Sequence, residues 1–157
     1  MTLDVRKLSI SLLAPFASGA IGSIATASSI PTWYVQLEKP VFNPPNWVFG
    51  PVWTILYLMM GIAFYLIWNN TKRTIHKRRA VLYYWIQLVL NTLWSLVFFG
   101  LRTTFGGIIV IIPLLIFIIL TMKNAKSVSY AAFLLLIPYL CWVSFATLLT
   151  ISLFLLN

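Results

Sequence analysis

KPVFNPPNWVFGPVWT, Lys39 to Thr54, runs a proline- and aromatic-rich loop without a break into an apolar segment of membrane-spanning length. Pro40, Pro44, Pro45 and Pro51 fix φ and remove backbone donors, so the stretch before Trp47 is expected to be a stiff, non-helical cap. Phe42, Trp47, Phe49 and Trp53 give that frame large apolar faces. The combination reads as part of a binding site set at the end of a helix.

The rest of the chain supplies the bundle that such a cap would cover. Of 157 residues, 61% are hydrophobic and only 8% charged, and the mean hydropathy is +0.96. A soluble domain of this size could not hide that much apolar surface. The apolar runs are continuous rather than alternating, so spans of about 20 residues are expected to be helices. Five fit, at Leu8 to Ala27, Trp47 to Trp68, Ala80 to Phe99, Thr104 to Met122 and Ser129 to Leu155. The fold class is therefore an all-α membrane protein, a single five-transmembrane-helix domain over residues 1–157 with a Pro/Trp-rich loop after helix 1 capping a pocket.

The first span follows Arg6 and Lys7 and contains small residues, features shared with cleaved signal peptides. Its length and the four spans after it favour a retained helix. Ala14, Ser18, Gly19, Gly22 and Ser23 include the pairs Ser18/Gly22 and Gly19/Ser23 at small-x-x-x-small spacing, a face suited to another helix or another subunit. Lys and Arg beside short loops stay on the cytoplasmic side. One side holds Arg6, Lys7, Lys72, Arg73, Lys77, Arg78, Arg79, Lys123 and Lys126, and the other holds Lys39 and Arg102. The N-terminus is thus expected inside, with the Lys39 to Thr54 loop and the C-terminus outside. The net charge of +9 reflects topology and contact with anionic membrane lipid rather than nucleic acid, because TKRTIHKRR is one short loop and not a basic face.

Residues for ordinary enzyme chemistry are nearly absent. Asp4 and Glu38 are the only carboxylates, and they fall on opposite sides, which excludes paired acid and base work. Cys141 reads as a small buried hydrophobe. His76 has no partners at metal-ligand spacing, so no metal site is expected. What remains is an aromatic and amide-rich interior. Tyr84, Gln87, Asn91, Trp94 and Phe98 share one stripe of the third span. Trp53, Tyr57 and Met60 form another in the second, and Tyr139, Trp142, Ala146 and Leu149 a third in the fifth. At 1.5 Å per residue, Trp53, Asn91 and Ala146 lie roughly 9, 12 and 14 Å below the outer ends of their helices, a common depth. Trp33, Tyr34, Phe42 and Trp47 emerge on that side and can cover them. The fourth span is almost purely aliphatic around Pro113 and reads as a lipid-facing wall.

Trp33-Tyr34, the L-x-K-P run at Leu37 to Pro40, N-P-P-x-W-V-F-G-P-V-W-T from Asn43 to Thr54, Q-L-x-L-N-T-L-W-S from Gln87 to Ser95 followed by F-F-G, and P-Y-L-x-W-x-x-F-A-T from Pro138 to Thr147 together resemble the tryptophan-rich sensory protein, or translocator protein (peripheral benzodiazepine receptor, TspO/MBR), family. The resemblance covers nearly the whole chain in order. It implies a five-helix bundle, usually dimeric, whose pocket under the first loop binds tetrapyrroles such as protoporphyrin and haem, and in many members sterols and benzodiazepine-type drugs. Carried over by motif, Trp33, Phe42, Trp47, Trp53, Asn91, Trp94, Trp142, Ala146 and Leu149 match pocket or lid positions. The chain departs from the family at Gly106, often aromatic there, and at Thr150, often Asn. No Lys or Arg follows Lys126, so the sterol-associated pattern of the last helix is missing. Arg79, Tyr83 and Leu88 fit its reversed form.

The expected mechanism is non-covalent capture of a flat, largely apolar tetrapyrrole between aromatic faces, with Asn91 and loop backbone supplying directional contacts. The tetrapyrrole is a ligand, and no cofactor is required. Lys39 and Arg102 could neutralise two porphyrin propionates or simply anchor helix ends at the interface. The leading role is a binding, sensing or regulatory protein of the cell membrane, expected to be bacterial. Alternatives are a porphyrin or sterol carrier, and light-dependent porphyrin degradation beside Trp53 and Trp142.

Overall fold

The computed structural model describes residues 3–71 and 74–157. Five long apolar helices dominate it: α1 (Val5–Ser29), α2 (Phe49–Trp68), α3 (Ile75–Ser95), α4 (Thr104–Val128) and α5 (Tyr130–Leu156). All five are long and apolar enough to cross a membrane. One 3₁₀ turn, Tyr34–Gln36, follows α1, a second, Asn46–Val48, leads into α2, and a π-helical turn, Leu96–Gly100, prolongs α3. Expected cations Lys72 and Arg73 lie outside the described residues.

Polar residues fix where the helices start. Asp4, Thr74, Thr103 and Ser129 each accept a hydrogen bond from the backbone N–H three residues on, closing the first turns of α1, α3, α4 and α5. Lys7 adds an ion pair to Asp4 at 3.0 Å, and its backbone N–H, the larger influence, helps hold that carboxyl below its usual range. Helices α3 and α4 run past the apolar windows. They carry His76, Lys77 and Lys123 outward as helical residues, because cations at a span's end keep their heads in water while their stems lie along the bundle. His76 Nδ1 sits 3.2 Å from Asn124 Oδ1, joining the two helices at that end.

The helices form a closed ring in the order α1, α2, α5, α4, α3 and back to α1. The half nearer the basic end is solid: Phe64 stacks on Tyr84 with ring centroids 4.2 Å apart, and Tyr84 Oη donates to the Met60 carbonyl at 3.1 Å. Pro15 leaves the Ser11 carbonyl without its intrahelical donor. Gly61 of α2 comes so close there that an added Cβ would stand 2.8 Å from that oxygen. On α1, Ser18 bonds to Thr92 and the Leu88 carbonyl, and Ser29 Oγ donates to the Phe99 carbonyl at 2.6 Å. The small-residue face therefore meets α2 and α3 of the same chain.

The lipid-facing wall expected of α4 is half of the picture. Ile109, Ile112, Ile116 and Ile119 face outward, but Val110, Ile111, Leu114 and Ile118 are buried against α3 and α5. An all-aliphatic helix hides this division, since both of its faces read alike.

Candidate functional site

In the loop-proximal half the ring opens into a cavity of about 550 Å³. Rings of Tyr34, Phe49, Trp53, Tyr57, Trp94 and Trp142 line it, with Ala146 leaving space on the α5 side. Trp53 stacks on Tyr57 at 5.2 Å and meets Tyr139 edge-on at 6.3 Å. Phe49 meets Trp142 edge-on at 6.0 Å. Phe98 and Leu149 lie just beyond, around a void of about 20 Å³ shared with Trp94, Trp142 and Ala146.

The remaining wall comes from α1. Phe16, Gly19, Ala20, Ser23 and Ala27 border the cavity. Several of them are exposed, as are Gly50 and Thr54 of α2, so the cavity opens sideways between α1 and α2. Of the α1 residues, Gly19 and Ser23 are expected from the sequence to serve packing. Small side chains permit close approach and leave space equally well, and only the neighbouring helix decides which.

The π turn explains how consecutive residues of α3 serve the same interior. The Leu101 N–H reaches back to the Leu96 carbonyl, adding a residue to the turn, and Phe98 and Phe99 are both buried. Trp94 stacks on Phe98 at 5.3 Å, and Trp33 packs edge-on against the same ring at 5.4 Å.

The loop is anchored chiefly by Tyr34, which is only 2% exposed. Its Oη donates to Asn43 Oδ1 at 2.6 Å, and burial pushes its phenol up to about 12. Phe42 is 51% exposed and touches Phe145 edge-on at 6.1 Å. Trp47 is 74% exposed. Neither Phe42 nor Trp47 borders the cavity, nor does Trp33. A Trp at the end of a span is stable at a membrane interface, where its ring need not turn inward.

Polar groups concentrate at and under the cavity floor. Tyr57 Oη donates to Asn91 Oδ1 at 3.3 Å, Asn91 Nδ2 donates to Tyr139 Oη at 3.3 Å, and Tyr139 donates to Gln87 Oε1 at 2.7 Å. Asn91 thus sits behind Tyr57, its amide engaged by two phenols, and does not border the cavity. Trp94 Nε1, like Gln87 Nε2 and Ser11 Oγ, is a buried side-chain atom without a hydrogen-bond partner among the described residues. Lys39 Nζ donates to the Val35 and Leu37 carbonyls and lies over the Tyr34 ring. Arg102 is exposed at the α3–α4 turn with φ of 53°. Neither cation borders the cavity.

A hydrophobic cavity lined by aromatic rings, of a volume within the roughly 300–1,000 Å³ common for small-molecule sites, suits a flat apolar ligand. The comparisons agree on what kind of chain this is. The sequence profile of the TspO/MBR family matches residues 11–156. The chain is 45% identical over 155 residues to the tryptophan-rich protein TspO of Archaeoglobus fulgidus, covering 99% of both chains. It is 41% identical over 157 residues to the protein of that name from Chlorobaculum tepidum, covering 100% of this chain and 99% of the other. With the human translocator protein it shares 36% identity over 136 residues, 86% of this chain and 80% of the other.

Proposed function

The chain belongs to the TspO/MBR family, and from that premise we propose that it binds a tetrapyrrole, protoporphyrin or haem, in the ring-lined cavity and serves a sensing or regulatory role in the membrane. The observation that carries this reading is the convergence of Phe49, Trp53, Tyr57, Trp94 and Trp142 on one space of about 550 Å³. Indole and phenol faces offer a porphyrin plane large apolar contact at low conformational cost. Benzodiazepine-type drugs are further ligands of the same cavity in this reading.

In this reading the basic end, with Arg6, Lys7, Lys77 and Lys123, faces the cytoplasm, and the loop and the end of α5 face outward. The protein assembles as a homodimer in the cell membrane. A titration of the purified protein in nanodiscs against protoporphyrin, haem and a sterol, followed by Trp fluorescence, tests the core of the proposal. Saturable quenching by a tetrapyrrole is expected. Linear, non-saturating quenching by all three would overturn it.

A second reading is light-dependent oxidative breakdown of the bound porphyrin. It is favoured by Trp53 and Trp142, two oxidisable rings that both border the cavity. Bound porphyrin should then lose absorbance under light and keep it in the dark.

A further inference from the structure

A second apolar recess lies on the outside of the bundle, between α2 and α5. It is a groove of about 440 Å³, lined by Ile55 and Met59 from α2 and by Pro138, Cys141, Trp142 and Phe145 from α5, among others, with Cys141 exposed and not buried as its sequence context suggested. The groove and the central cavity share one side chain, Trp142. Phe145 in turn borders both the groove and the small void beside Ala146. Trp142 therefore presents surface to both recesses.

Depth decides what medium the groove meets. Trp142 stands 12 residues from the first residue of α5 and 14 from its last, which is about 18 and 21 Å along the axis. It lies near the middle of a hydrocarbon core about 30 Å thick. At that depth the surrounding medium is lipid tails, which meet the groove wherever no second copy covers it. The groove walls are almost wholly apolar, and a void there forfeits the dispersion contacts that a filled groove would make.

We propose that the α2–α5 groove is a binding site for one hydrocarbon chain of a bilayer lipid, seated against the Trp142 ring that also bounds the central cavity. Exchange of an apolar ligand between bilayer and cavity then has a route through the position of this one side chain.

The test uses the full chain in nanodiscs of phosphatidylcholine brominated near the chain ends. Trp emission of the wild type minus that of Trp142→Phe gives the Trp142 share. In brominated discs that share should fall at least twofold relative to unbrominated ones. Met59→Phe and Cys141→Phe, made separately in both backgrounds, fill the groove from opposite walls, and each should restore most of the lost emission. An unquenched Trp142, or quenching that neither filled groove relieves, overturns the proposal. So would near-complete dimer formation when the sole cysteine, Cys141, is joined by a short bifunctional reagent, because the groove would then be occupied by a second copy. The readout needs no tetrapyrrole, so it stands or falls independently of the ligand proposed for the cavity.

Discussion

Asn157 clasps the backbone of Glu38: its Oδ1 accepts from the Glu38 N–H at 2.9 Å and its Nδ2 donates to the Glu38 carbonyl at 3.1 Å. The residue at the end of α5 thereby fastens the proline-rich loop above the cavity. Both bonds are exposed, so each is worth at most about 1 kcal/mol. Asn157→Ala is expected to leave global unfolding unmoved and to speed protoporphyrin dissociation about 3- to 10-fold, as read by stopped-flow displacement. An unchanged dissociation rate would mean that Tyr34 alone holds the loop.

Trp94→Phe keeps an aromatic face and removes a buried donor that has no partner. Relief of that unsatisfied group should leave the empty protein as stable or more so. Protoporphyrin affinity should drop about 5- to 30-fold, the equivalent of about 1–2 kcal/mol. Thermal unfolding with and without ligand checks both halves, and an unchanged affinity would remove the indole from ligand recognition.

Tyr139→Phe breaks the bonds to Asn91 and Gln87 and leaves Gln87 with no partner, because Gln87 Nε2 already lacks one. The expected destabilisation is about 1–2 kcal/mol, near the upper end for interhelical bonds in membranes. Adding Gln87→Leu should recover at least half of it. A double-mutant cycle by denaturation in mixed micelles measures the coupling, and strict additivity would argue against a connected chain.

Gly61 and Gly50 offer a matched contrast. A Cβ at Gly61 meets the Ser11 carbonyl oxygen at 2.8 Å and the Leu12 Cα at 3.0 Å, backbone that cannot swing aside, whereas nothing lies within 4 Å of one at Gly50. Gly61→Ala should cost about 1–3 kcal/mol by overpacking. Gly50→Ala should be near neutral, and equal costs at both sites would contradict the close α1–α2 approach.

Lys39 and Arg102, replaced together by Gln, should leave protoporphyrin affinity within twofold, since neither borders the cavity. A tenfold loss in the titration would instead assign them to the propionates.

Hydropathy made the five spans legible, because each backbone in a bilayer must satisfy its own hydrogen bonds. The α3 stripe was legible as well: Tyr84, Gln87, Asn91, Trp94 and Phe98 recur at helical spacing and all are buried. Phe99 was not, since the π turn that brings it inward has no signature in LVFFG. Asn91 illustrates a different gap. Its burial follows from its stripe, but whether its amide meets a ligand or two phenols depends on side chains from α2 and α5 that no local pattern links. Trp47 marks a third, because an interface ring and a lid ring look identical in sequence.

Since α1 completes the ring with small residues, the sideways mouth of the cavity is framed by Ala20, Ser23 and Ala27 on one side and by Gly50 and Thr54 on the other. Phe16 apart, the exposed residues at the aperture are small or polar and distinct from the rings that line the interior. If the cavity takes a ligand as proposed, enlarging Ala20 or Ala27 would narrow the doorway and leave the interior rings unchanged.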